Sequence, residues 1–297
     1  MNAFEIKIIN DIRETITPFL DKIFEIITIL GEQSILILLL LGIYFIYSKR
    51  EGQKIAFSIF TSLLLNNALK IAIQRIRPFE HPGHNYEATR LDTATGYSFP
   101  SGHTQNSAVS YTAIGLSVKK KWLWITIIVL ITLIGISRVA LGVHYPTDVI
   151  AGAALGIGCA FLGRYLFEKC EKSYTKELIL YGITILIFLP FVFIYWKKAM
   201  TNPDKFKDFY TSFSFFIGFV AAIILERKFV GFECNCCLKL RIVRFLIALV
   251  IVVAIQFGLG VLLPEGLIFS MLRYFLLSYI TLGIYPILTK KWLFPKK

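Results

Sequence analysis

The chain is short of charge. Only 17% of its 297 residues are Asp, Glu, Lys or Arg, against 56% hydrophobic, and the mean hydropathy is +0.66. That balance excludes an ordinary soluble domain, and several apolar runs are long enough to cross a hydrocarbon core of about 30 Å. Acid is scarcer still, with 19 Asp and Glu against 32 Lys and Arg and a net charge of +13. Such an excess can signal nucleic acid, but here the basic residues gather in alternate loops, as orientation signals do in membrane proteins. The expected partner is a bilayer and not nucleic acid. Cysteine is sparse, at 159, 170, 234, 236 and 237, and does not form a disulfide framework. Cys234-Asn235-Cys236-Cys237 is too compact for the paired ligands of a zinc site and has no histidine near it, so reduced cytoplasmic thiols, open to acylation, are expected. An uninterrupted apolar leader is also missing. Glu5, Lys7, Asp11, Arg13, Glu14, Asp21, Lys22 and Glu25 alternate with apolar residues in the first thirty positions, which read as an interfacial amphipathic segment and not as a cleavable signal.

What is present is a series of helix-length apolar runs, so the fold class is all-α, a polytopic membrane bundle of about nine transmembrane helices. The runs fall at about 31–48, 54–76, 101–118, 122–137, from 146 onward, 178–196, 209–225, 243–263 and 267–288. Three segments follow: 1–30, interfacial; 31–170, a core of five spans; and 171–297, four accessory spans. The 101–118 run is polar for a membrane helix, with Thr104, Gln105, Asn106, Ser107, Ser110 and Thr112, and is expected inside the bundle. Gly152, Gly156 and Gly158 suit close packing of the fifth span. Pro78 is expected to stop the second span, and residues 79–99 form a long loop suited to reading substrate. Nineteen of the 32 basic residues, from Lys49 to Lys297, lie in one set of loops. That side is expected to be cytoplasmic, in the plasma membrane, which puts the polar motifs described next on the extracytoplasmic side.

Three motifs carry chemistry. Lys70 and Arg77 are seven residues apart, two helical turns, and are expected to present two cations on one face of a helix end; Arg75 between them faces elsewhere and reads as a snorkelling cation. Pro100-Ser101-Gly102-His103 opens a helix, whose unpaired N–H groups and positive dipole make an anion site. Gly102 permits close backbone approach, Ser101 suits a cap and a phosphate donor, and His103 is placed to protonate a leaving oxygen. Ser137-Arg138 through His144 to Asp148 then offers a guanidinium that can fork onto phosphate, and a histidine with a carboxylate four residues on to hold its tautomer.

In order and spacing these read Lys-x6-Arg-Pro, Pro-Ser-Gly-His and Ser-Arg-x5-His-x3-Asp. The set resembles the tripartite motif of the type 2 phosphatidate phosphatase superfamily, which also contains the vanadium haloperoxidases. The resemblance implies catalytic residues His144 as nucleophile, Asp148 as its orienter and His103 as acid and then base. It also implies a phosphate site of Lys70, Arg77, Ser101, Gly102 and Arg138. No metal and no cofactor are expected, since no cluster of carboxylates exists to hold Mg²⁺.

The function expected from this is metal-independent removal of phosphate from a membrane lipid phosphate or diphosphate at the outer face, through a phosphohistidine, with undecaprenyl diphosphate or phosphatidylglycerophosphate among the candidate substrates. Two alternatives stay open: a membrane phosphatase for a soluble sugar phosphate, whose nine-span layout resembles glucose-6-phosphatase, and a transporter-like protein that keeps only a phosphate pocket. A haloperoxidase is disfavoured by the nine apolar runs.

Overall fold

The computed structural model describes residues 2–294, so Lys296 and Lys297, counted among the basic loops, lie outside it. Among the described residues every regular element is helical. Eight stretches are long and apolar enough to cross a membrane: Pro18–Tyr47, Lys49–Glu80, Lys121–Ala140, Pro146–Cys170, Tyr174–Thr201, Pro203–Phe229, Leu238–Leu262 and Leu267–Leu288. The first of them starts at Pro18 and not near 31. The ninth expected span, Gly102–Val118, is 17 residues long and more polar than these eight. Its Thr104, Gln105, Ser107, Ser110 and Thr112 are buried, as a polar helix in a bilayer requires.

The chain divides into two compact units. The first joins residues 1–37 to 57–169. It contains α1 (Asn2–Thr15), α2 (Pro18–Ile29), the start of α3 (Gln33–Gly42), most of α4 (Lys49–Ile73), α5 (Gly102–Val118), α6 (Lys121–Ala140) and α7 (Pro146–Cys170). Helix α5 packs on α6 through Ala108, Tyr111, Ile127, Ile131 and Ile134. A smaller apolar cluster of Ile6, Ile9 and Tyr145 attaches α1 to the loop that leads into α7.

Helix α7 lies against α5 because its glycines leave room. A Cβ at Gly152 would stand 2.8 Å from the Ser101 carbonyl, and one at Gly156 would stand 2.4 Å from the Gln105 carbonyl, both closer than side chains tolerate. Gly158 has no such neighbour, so only two of the three expected packing glycines serve that end.

The second unit joins residues 38–56 to 170–297. It contains α8 (Tyr174–Thr201), α9 (Pro203–Phe229), α10 (Leu238–Val253), α11 (Leu259–Leu262), α12 (Leu267–Tyr279), α13 (Tyr285–Leu288) and α14 (Lys290–Leu293), with π-helical turns at Ile43–Tyr47, Ala254–Gly258 and Ile280–Ile284. Its centre is α9, whose Phe209, Phe216 and Phe219 are fully buried. Gly218 lets α12 approach, since a Cβ there would meet the Phe275 carbonyl at 2.4 Å. All five cysteines are free, and the Cys234 thiol lies 3.6 Å from the Tyr44 carbonyl.

Candidate active site

The cations of the first unit arrive on separate elements. Lys70 stands in the last turn of α4, which ends at Ile73, before Pro78. Gln74 then takes a left-handed φ of 54°, and Arg77 is in extended backbone at φ −77°, ψ 157°. Lys70 and Arg77 do converge, but not as two positions on one helix face. Arg77 is 1% exposed and is fixed by three backbone carbonyls: Nε donates to Gly96 at 3.1 Å, one terminal nitrogen to Val143 at 3.0 Å, and the other to Thr95. Lys70 Nζ reaches the Thr95 carbonyl at 3.4 Å.

Arg138, near the end of α6, is fully buried; one terminal nitrogen donates to Thr28 Oγ1 at 2.9 Å, while Nε and the other terminal nitrogen have no hydrogen-bond partner among the described residues. The acids within electrostatic reach of Arg138 are Glu32 and Asp92, and both pair with Arg90. A buried guanidinium with unsatisfied donors is costly unless an anion completes it.

His144 lies in the short loop between α6 and α7. Its Nε2 is 3.2 Å from a terminal nitrogen of Arg77, and its Nδ1 is 3.4 Å from Asp148 Oδ2. A guanidinium can only donate, so Nε2 is the acceptor and Nδ1 carries the proton. That tautomer turns the Nε2 lone pair toward the cations and the Nδ1 proton toward the carboxylate. Burial, then Arg77, Arg138 and Lys70, push the His144 imidazolium well below its ordinary value near 6.5, which keeps the ring neutral.

Ser101 occupies the N-cap position of α5, but its hydroxyl meets Thr104 Oγ1 at 3.0 Å and does not cap the helix. Its backbone N–H donates to the Asp148 carbonyl at 3.0 Å, which ties the second motif to the third. Gly102 faces Lys70, whose Nζ lies 3.9 Å from where a Cβ would stand. His103 is within electrostatic reach of Arg138, His144, Lys70 and Arg77, and its Nε2 is buried without a partner. Behind them Asn66 donates to Gln105 Oε1 at 2.9 Å, and Gln105 donates to the Ser62 carbonyl at 2.9 Å, which holds α4 and α5 in register. All eight residues expected from the motifs therefore meet at one end of this unit.

Three participants were not expected. Arg75 is not a snorkelling cation: it donates to Asp148 Oδ1 and to Glu5 Oε2, each at 2.6 Å, and its guanidinium stacks 3.8 Å from the centre of the Tyr145 ring. Glu5 comes from α1. Ser98 donates to Asp148 Oδ2 and lies 3.4 Å from His144 Nδ1. A positive sign was available for Arg75 alone, because a buried carboxylate such as Asp148 needs a cationic partner.

A profile of the PAP2 superfamily matches residues 52–172, which contain all three motifs. Phosphatidylglycerophosphatase B of Bacillus subtilis is 36% identical over 172 residues, which are 54% of this chain and 81% of that protein. This chain belongs to the PAP2 superfamily. A second profile, the transmembrane extension of PAP2 superfamily phosphatases, matches residues 210–294, so the later helices are also a superfamily feature. Undecaprenyl-diphosphatase of Sulfolobus acidocaldarius is 35% identical over 116 residues, 39% of this chain and 54% of that protein. Lipid A 1-phosphatase of Rhizobium johnstonii is 33% identical over 129 residues, 42% of this chain and 51% of that protein. The chain thus spans about half the length of these last two PAP2 relatives. The crystal structure of a Bacillus subtilis PAP2-type phosphatidylglycerolphosphate phosphatase superposes with a TM-score of 0.47 at 32% identity, covering 56% of this chain and 86% of that one.

Proposed function

We propose that this PAP2 superfamily phosphatase removes phosphate from a lipid phosphate or diphosphate at the outer face of the plasma membrane, through a phosphohistidine on His144. The observation that carries the reading is the coincidence, in one buried cluster, of excess cations with a correctly protonated imidazole. Arg138 holds unpartnered donors, and His144 keeps its Nε2 lone pair on the side of Arg77. Binding alone would need the cations; it would not need a nucleophile, its orienter and a second histidine with a free nitrogen.

In this reading Lys70, Arg77, Arg138 and the N–H groups at the start of α5 surround the phosphoryl oxygens and stabilise the charge of the transition state. His144 Nε2 forms the P–N bond while the P–O bond to the lipid breaks, and His103 gives its proton to the departing oxygen. Asp148 accepts from Nδ1–H and offsets the charge on the phosphorylated ring. His103, now a base, takes a proton from water, whose oxygen displaces His144 and frees phosphate. Among the described residues no three His, Cys, Asp or Glu side chains gather as a metal site, and Asp148 and Glu5 are both held by Arg75.

The lipid assignment follows from depth. A phosphate site at helix ends is reached by lateral diffusion of a headgroup whose tail stays in hydrocarbon. The relatives are named for lipid substrates, and a polyprenyl diphosphate is the leading single choice. The test is phosphate release in mixed micelles from phosphatidylglycerophosphate, a polyprenyl diphosphate and glucose 6-phosphate at equal concentration. The lipids should be hydrolysed far faster, turnover should survive a chelator, and His144→Ala should abolish both turnover and trapping of labelled phosphate. Faster hydrolysis of the sugar phosphate would reject the lipid assignment, and an active His144→Ala would reject the mechanism. Orientation has its own check. An impermeant thiol reagent on intact cells should label Thr93→Cys and miss Cys236 and Cys237, and the reverse pattern would put catalysis inside.

A further inference from the structure

The roles given so far leave a strong ionic assembly unused. Glu5 is 4% exposed although it lies in the amphipathic α1, far from the motifs in sequence. One of its oxygens accepts the Thr147 backbone N–H at 3.0 Å and the Thr147 hydroxyl at 2.7 Å; the other accepts Arg75 at 2.6 Å. Arg75 uses a single terminal nitrogen for both Thr147 Oγ1, at 2.7 Å, and Asp148 Oδ1, at 2.6 Å. The two charged side chains therefore enclose the first turn of α7, the turn that presents Asp148 to His144.

We propose that Glu5 and Arg75 are positioning residues for the Asp148–His144 pair, which makes α1, outside the matched segment 52–172, part of the machinery of turnover. The physical argument has three parts. Asp148 Oδ2 already receives Ser98, the Tyr145 backbone N–H at 3.1 Å and His144 Nδ1 at 3.4 Å. Only Oδ1 remains to fix the rotation of the carboxylate, and Arg75 fixes it. Arg75 is itself a cation a few residues from Arg77, and without a counter-charge it would be drawn toward any bound phosphate. Glu5 neutralises it and holds it on the far side of Asp148, with Tyr145 stacked beneath. Third, a carboxylate accepting an otherwise unpaired N–H at the start of a helix favours that helix end, so Glu5 also anchors α7 where Asp148 emerges.

This inference rests on His144 as nucleophile, and the experiment separates the two. Full-length wild type, His144→Ala, Arg75→Gln, Arg75→Lys and Glu5→Gln are compared for kcat, KM, inhibition by inorganic phosphate and the pH dependence of kcat/KM. Arg75→Gln and Glu5→Gln should lower kcat by roughly 10- to 100-fold, the scale on which a displaced orienting group acts, with KM and phosphate inhibition within about twofold of wild type.

The acid limb of the pH profile, where His144 gains a proton, carries a second sign. His144 is faced by Lys70 and Arg77 from α4 and its extension, His103 from α5, Arg138 from α6 and Asp148 from α7. Removing the Arg75 cation should move the limb to higher pH, and removing the Glu5 anion should move it to lower pH. Arg75→Lys should restore the limb while recovering only part of kcat, because an ammonium cannot fork across both carboxylates.

A purely structural role would instead weaken phosphate inhibition along with kcat, or shift both limbs together, and either result overturns the proposal. So does wild-type kcat in both neutral variants. If His144→Ala is inactive while those two behave as wild type, the positioning role alone is lost; an active His144→Ala removes the mechanism beneath it. Glu5→Asp supplies a milder change should Glu5→Gln fail to fold: charge and limb are kept, and kcat falls.

Discussion

Buried charge is handled in opposite ways by the two units. Among the described residues of the second unit the buried ions Lys54, Glu177, Glu226 and Arg244 are all matched, and unpartnered guanidinium nitrogens are confined to Nε of the half-buried Arg241 and Arg273. Glu226 receives Lys49 at 3.1 Å and the Phe232 N–H at 2.9 Å; Glu177 receives Arg50 and Arg227, each at 2.9 Å; Arg244 donates to the carbonyls of Leu293 and Glu233 and lies 4.5 Å from the Phe294 ring centre. In the first unit Asp148 and Glu5 are matched by Arg75, but Arg138 retains two buried donors without partners. Charge that only holds a fold is neutralised on the spot, because an unpaired buried ion is destabilising. Charge left over marks where a ligand of the other sign completes the site.

Substitutions should separate the two kinds. Arg138→Gln is expected to lower kcat/KM by roughly 100- to 1,000-fold, the usual loss when one transition-state donor is removed. Its apparent melting temperature in detergent should hold or rise, since a poorly satisfied buried cation is gone. A lower melting temperature with unchanged kinetics would put Arg138 in the structural class. Glu226→Gln should do the reverse. It strands Lys49 and should cost about 2 kcal/mol of stability, discounted for the partial exposure of Lys49, with activity per folded molecule unchanged. Chaotrope titration alongside an activity assay on the surviving fraction decides it.

Packing gives the next smaller effect. Gly156→Ala would push a methyl against the Gln105 carbonyl and should cost about 1–3 kcal/mol, with kcat reduced because α5 carries His103. Gly158→Ala, with open space at its Cβ, should be neutral or stabilising by up to about 1 kcal/mol. Equal effects at the two positions would refute the close contact between α5 and α7.

The smallest expected change is in pH. Because burial and three cations depress His144, the acid limb of kcat/KM should lie below pH 6.5 in the wild type. In Arg138→Gln it should move upward, since one repelling cation has been removed. A wild-type limb above pH 6.5 would mean that His144 is not held neutral.

The sequence carried the bundle and pointed to motif residues that the fold brings together, for a physical reason. Apolar runs of helical length have few uses outside a membrane, and a histidine, an arginine and an aspartate between two such runs have few uses outside chemistry. The local geometry was less legible. Helical projection assumed that α4 continues to Pro78, so it placed Lys70 and Arg77 on one face and sent Arg75 away; the left-handed Gln74 removes that premise. Glu5 had the look of one more charge on an amphipathic face, and its contact with Thr147, across most of the first unit, leaves no periodic trace. Ser98 is an unremarked hydroxyl in a loop, and only Asp148 gives it meaning.

Gln74 also changes what the first motif measures. If the segment from Lys70 to Arg77 were one helix, the six intervening residues would set an angle, and adding one would swing Arg77 about 100° away from Lys70. With the helix stopped at Ile73, the spacer is a ruler of contour length. Arg77 itself sits in extended backbone, where a residue adds about 3.3 Å. An insertion after Gln74 would thus overshoot the Gly96 and Val143 carbonyls that hold Arg77, while an insertion within α4 would rotate Lys70 and leave Arg77 free to be rebuilt from the loop side. The same spacing tolerates change differently at its two ends, and glycine at position 74 should ease the turn.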